Sequence, residues 1–63
     1  MNIRVFDKQS KILIGEGNLI QKDIIYFIYN NLDDDFIVTP FNLLEKKISE
    51  KFKRKIEIQI LKQ

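Results

Sequence analysis

Polar and apolar residues alternate at both ends of the chain and lose that alternation in between. Near the start, Asn2-Ile3-Arg4-Val5-Phe6-Asp7 is followed by the polar Lys8-Gln9-Ser10, and Lys11-Ile12-Leu13-Ile14 then resumes a β-rich pattern that Gly15-Glu16-Gly17 breaks. Two short runs of period two around a polar connection predict a β-hairpin. In the usual hairpin register Ile3 and Val5 share one face with Ile12 and Ile14. At the other end, Lys55-Ile56-Glu57-Ile58-Gln59-Ile60-Leu61 alternates cleanly. That predicts a half-exposed strand with Ile56, Ile58 and Ile60 turned inward.

The middle is read as helical. Asn18 with Gln21 three residues on resembles a capping box, in which each side chain satisfies a backbone amide at the helix start. Placed at 100° per residue, Ile20, Ile24, Ile25, Phe27, Ile28 and Leu32 fall within one arc, with Lys22, Asp23 and Asn30 outside it. The competing reading of residues 24–29 is a buried strand, because a short apolar run of β-branched and aromatic residues is ambiguous by period alone. After the polar Asn30-Asn31 and Asp33-Asp34-Asp35 and a short apolar Phe36-Ile37-Val38, Thr39-Pro40 is the strongest start signal in the chain. Thr suits the N-cap, and Pro suits the first helical position, where an amide would be orphaned anyway. Phe41, Leu44, Ile48 and Phe52 then form a narrow apolar stripe.

These elements sum to a strand-strand-helix-helix-strand (ββααβ) chain: an α+β fold with a three-stranded sheet and two helices packed on one face. The first strand is expected in the middle, paired with both the second and the last. The 63 residues suffice for one domain, 1–63, and not for two. A chain this short hides only about 60% of its unfolded surface, which makes association with a second copy attractive from the outset. Twelve Ile, six Leu and five Phe supply the core, and there is no Ala or Trp.

Composition removes much chemistry. With no Cys and no His there are no disulfides, thiol nucleophiles, imidazole bases or common zinc ligands. General acid-base work would rest on Asp, Glu, Lys or Tyr in a chain too short to enclose a dry pocket, so no enzyme, cofactor or small-molecule ligand is expected. Asp33-Asp34-Asp35 lacks the alternate spacing of a calcium loop and is read as a solvated turn between helices, with no metal. Gly15-Glu16-Gly17-Asn18 lacks the full pattern of a phosphate-binding loop and is read as a turn. No apolar run reaches the length of a membrane span, and Arg4, Asp7 and Lys8 interrupt the first residues, so a cytoplasmic protein is expected.

Charge is divided along the chain: residues 1–45 carry a net −3 and residues 46–63 a net +5. Lys46, Lys47, Lys51, Lys53, Arg54 and Lys55 crowd into ten residues with one acid, Glu50. Such a cluster can hold phosphates through counterion release, so a nucleic-acid-binding module is one functional reading. A lysine-rich face that simply keeps a small protein dissolved is its structural counterpart. The cluster holds a single Arg and no exposed aromatic for base stacking, and no third helix follows to enter a major groove.

The second reading rests on the sheet. With the isoleucines turned toward the helices, the opposite surface carries Phe6, Leu13 and Leu61 among Arg4, Lys11, Glu57 and Gln59. Nothing in so short a chain is left over to cover them. The expectation is a non-enzymatic, regulatory or inhibitor-like protein-interaction module, acting as a homodimer or by docking its sheet face or an edge strand on another protein, with Phe6, Leu13 and Leu61 as anchors.

Overall fold

A computed structural model describes residues 1–31 and 35–61. Six elements follow one another: β1 (Asn2–Asp7), β2 (Leu13–Gln21), β3 (Ile24–Tyr29), β4 (Phe36–Pro40), α1 (Phe41–Phe52) and β5 (Ile56–Leu61). All five strands belong to one sheet in the order β4-β3-β2-β1-β5, and every neighbouring pair is antiparallel. The first four strands form a meander. Helix α1 then packs on one face of the sheet against β3, β4 and β5, joining one sheet edge to the other.

This architecture overturns the expected three-stranded ββααβ sheet with two helices. Residues 18–29 are not a helix: Asn18 and Gln21 lie in β2, and residues 24–29 are β3. The two strands meet in a two-residue turn at Lys22-Asp23, where Lys22 takes φ 43°, a left-handed value that tight hairpins need at a central position. The physical reason lies in β3 itself. Ile25, Phe27 and Tyr29 are buried on the helix side, and Ile24, Tyr26 and Ile28 point to the other face. Both faces are apolar, so period two vanishes from the sequence and the run fills a helical arc by default. Leu32, Asp33 and Asp34, placed in that helix and the turn after it, lie outside the described residues; Asp35 leads into β4 rather than between helices.

The glycines correct a second expectation. Gly15 and Gly17 sit in the interior of β2, opposite Val5 and Ile3, in the core-facing positions expected for isoleucines. A register shift between Val5 and Phe6 leaves Ile14 as an extra residue on β2. Ile14 still packs against the core, while Ile12 stands in the β1–β2 turn, 64% exposed.

The remaining elements follow the expectation closely. β1 lies between β2 and β5. Helix α1 buries Leu44 and Ile48 and rests Phe41 and Phe52 against the core. It begins one residue later than Thr39-Pro40 suggested. Thr39 is a buried β4 residue whose hydroxyl donates to the Pro40 carbonyl, and Pro40 occupies the cap position with an extended ψ of 143°. The amide of Phe41 donates to the carbonyl of Asp23, so the β2–β3 turn satisfies the helix start in place of a side-chain cap. Along β5, Ile56 is buried, Ile58 half-buried and Ile60 exposed, although all three register with the core-facing residues of β1.

Candidate functional site

With α1 on one face, the opposite face of the sheet is left without a covering element among the described residues. Register fixes what that face displays. One row crosses the sheet as Gln59-Arg4-Glu16-Ile28-Phe36, the next as Leu61-Asn2-Asn18-Tyr26-Val38. The face therefore divides in two. Its β1–β2–β5 half is polar across the middle, where it carries the Arg4–Glu16 ion pair, 3.9 Å between Nε and Oε1. Its β3–β4 half is apolar: Phe36 and Val38 are each 51% exposed and Ile28 47%, with Tyr26 beside them. The rings of Tyr26 and Phe36 stand 5.3 Å apart between centroids. Tyr26, Ile28, Asp35 and Phe36 also line an open depression of about 260 Å³.

The sequence-derived anchors lie on this same face, spread wider than expected. Phe6 and Leu13 are cross-strand partners near one end, and Leu61 pairs with Asn2 at the other. All three are half-buried by their neighbours. In the strip formed by Tyr26, Ile28, Phe36 and Val38, the last three are more exposed than any of these anchors. Sequence reasoning missed it because a helix assignment for residues 18–29 hides the second face of β3. The signal was present as an apolar run with no polar interruption, which is what a strand lined with apolar residues on both sides produces.

The basic segment is less uniform than its sequence. Lys46 and Lys47 project from the exposed side of α1, and Lys53, Arg54 and Lys55 form the turn into β5. Two of the six cations hold acids: Lys51 Nζ lies 3.2 Å from Asp35 Oδ2, and Arg54 Nε lies 3.5 Å from Asp7 Oδ2. Lys51 also sits 4.9 Å over the Tyr29 ring, tying the last helical turn to β3. Burial pushes the Tyr29 phenol above its ordinary range, with Lys51 opposing the shift and Asp35 adding to it. Among the described residues, Lys46, Lys47, Lys53 and Lys55 make no ion pair.

Asp7 organises this end of the sheet. Its Oδ1 accepts from the amides of Gln9 and Ser10 at 2.9 and 3.1 Å, closing the turn after β1. Those amide bonds, Ser10 first and Gln9 next, hold its carboxyl below the ordinary carboxylate range, and Arg54 adds to the effect against desolvation. Asp7, Lys8, Gln9, Phe52, Lys53, Arg54 and Lys55 line an open cleft of about 540 Å³. No group of Asp and Glu side chains among the described residues is placed to hold a metal ion. No helix among them is long and apolar enough to cross a membrane.

Compared with known proteins, the chain matches no family model, no curated protein and no solved structure.

Proposed function

We propose that the chain is a non-enzymatic protein-interaction module that docks through the uncovered face of its sheet. The single observation that supports this reading is the strip of Tyr26, Ile28, Phe36 and Val38, contiguous, apolar and left uncovered by any element among the described residues. Half-exposed aliphatic and aromatic side chains gathered on one side of a sheet gain about 1 kcal/mol each when their remaining exposed area is buried, which makes such a surface a natural contact for another protein. Phe6, Leu13 and Leu61 extend the contact toward β1 and β5. The compartment assumed is the cytoplasm.

The basic segment is the competing contact, with Lys46, Lys47, Lys53 and Lys55 available for phosphates and Lys51 and Arg54 engaged with acids. Salt dependence separates the readings. Counterion release makes phosphate binding fall steeply with salt, whereas an apolar contact changes little. The test is capture of partners by the wild-type chain and by Ile28→Lys and Lys46→Glu/Lys47→Glu variants, at low and moderate salt, with and without nuclease. The reading expects partners that survive nuclease and salt and are lost only with Ile28→Lys. Partners released by nuclease, or lost only with the double lysine change, would replace it with the nucleic-acid reading.

A further inference from the structure

We infer that a second copy of the chain pairs with the outer edge of β4, beside this surface and continuous with it; the inference rests on the interaction-module reading above and names one partner for it. The two edges of the sheet are chemically different. On its uncovered face β5 presents Glu57, Gln59 and Leu61, and Glu57 is paired with Lys11 at 3.6 Å. β4 reads Phe36-Ile37-Val38-Thr39-Pro40 and carries no charge at all. Charged side chains are one device that keeps a sheet edge from pairing with another; β4 has none, and its proline stands only at the last position, leaving Phe36 to Thr39 unprotected.

Backbone direction follows from the ladder. The Asp35 carbonyl accepts from Tyr29 and the Phe41 amide donates to Asp23. Bonding in an antiparallel pair alternates residue by residue, so Ile37 and Thr39 bond to β3 while Phe36, Val38 and Pro40 turn their backbone groups outward. Proline at position 40 fits this direction, because its missing amide hydrogen is not owed to β3. The outward edge thus offers an amide and a carbonyl at Phe36, the same at Val38, and no donor at Pro40.

That pattern is its own complement. A two-fold axis beside Ile37 brings Phe36 opposite Val38 of the second copy and Val38 opposite its Phe36, so the two strands exchange four backbone hydrogen bonds. The side chains agree with the backbone. Each cross-strand pair sets an aromatic against a β-branched residue, a favourable combination. Because Tyr26 registers with Val38 and Ile28 with Phe36, each apolar row then runs through both copies, from Ile28 and Phe36 of one to Val38 and Tyr26 of the other. Pro40 ends the ladder, and the two-fold relation makes it one closed, isologous contact and not an open chain of strands.

Val38→Pro removes only an outward amide, as Pro40 already does, and leaves the bonds to β3 in place. Sedimentation equilibrium at sub-millimolar concentration should show the wild-type chain in exchange between 7.6 kDa and twice that mass. Val38→Pro should weaken the association roughly 10- to 100-fold, one donor being lost from each copy. Ile60→Pro, the same change at an exposed position of β5, should leave it intact. Circular dichroism checks that each variant is folded; should Val38→Pro unfold, Val38→Lys at the same half-exposed position serves in its place, with the same loss expected. A wild-type chain that stays monomeric, or a dimer that Val38→Pro and Val38→Lys leave intact while Ile60→Pro disrupts it, overturns the inference. A monomeric chain whose partners are still lost with Ile28→Lys would remove the second copy and keep the interaction module.

Discussion

The Phe27 ring lies directly over Gly15 of the adjoining strand, in the space a side chain there would take. A Cβ built on Gly15 would stand 2.6 Å from Phe27 Cζ and closer still to the carbonyl oxygen of Ile28. Phe27 is fully buried and meets Tyr29 edge-on, with ring centroids 5.2 Å apart; Tyr29 in turn meets Phe52 of the helix at 5.8 Å. The glycines of β2 therefore make room for the aromatic group on which α1 rests. Glycine weakens a strand by its backbone entropy, and here the loss is offset by the ring that covers it.

Gly15→Ala should destabilise the fold by about 3 kcal/mol, near the top of the range for overpacking a tight core, because one of the crowding atoms is backbone and cannot rotate away. In a chain of this size that lowers the thermal midpoint by roughly 10 °C or more. Gly17→Ala meets its nearest atom, the Tyr26 carbonyl oxygen, at 2.9 Å and side chains beyond 3 Å, so its cost should be smaller. Urea unfolding of the two variants checks the order, and equal midpoints would show that Phe27 is free to move aside.

How much of this arrangement was legible in the sequence depends on whether each strand has a wet face. β1 and β5 do, and their alternation gave both the strands and the direction of Phe6 and Leu61. β3 does not, and its six apolar residues carried no period to read. The glycines of β2 looked like punctuation because their role depends on Phe27, twelve residues further along the chain than Gly15. β4 alternates as Phe36 out, Ile37 in, Val38 out and Thr39 in, but its outward positions are apolar too, and the Thr39-Pro40 signal drew attention to the helix that follows. The apolar strip was lost for the same reason as the strand that bears it: a face contributes to patterning only when it is polar.

Asp7 should make stability sensitive to acid. Its carboxyl is depressed in the folded chain by the Ser10 and Gln9 amides and then by Arg54, so the ionised form favours folding. That contribution is present above the ordinary carboxylate value and is lost as pH falls through the lower folded one. Asp7→Asn keeps an acceptor oxygen and removes the charge. Its thermal midpoint should lie below that of the wild type by a constant gap from pH 7 to about 5, and the gap should close below about pH 4. A gap unchanged down to pH 2 would mean that the loss comes from the changed side-chain group and not from the carboxylate charge.

Lys53 ends the helix in a conformation that suits it poorly. It takes φ 56° and ψ 39°, and its amide donates to the Ser49 carbonyl, as the amide of Arg54 also does at 3.2 Å. This is the left-handed closure that helices normally assign to glycine, since a Cβ there crowds the following carbonyl at a cost of about 1–2 kcal/mol. Lys53→Gly relieves the crowding and gives part of the gain back as chain entropy, leaving a net stabilisation of about 1 kcal/mol and a thermal midpoint roughly 4–8 °C higher. The change also removes one of the cations that make no ion pair among the described residues. A basic segment retained for phosphate contacts would lose affinity as the fold gained stability, and the salt dependence of any nucleic-acid binding would fall by about one counterion. A surface that serves only to keep the chain dissolved would show the rise in midpoint alone, so denaturation and a salt titration on this one variant read the two roles of Lys53 separately.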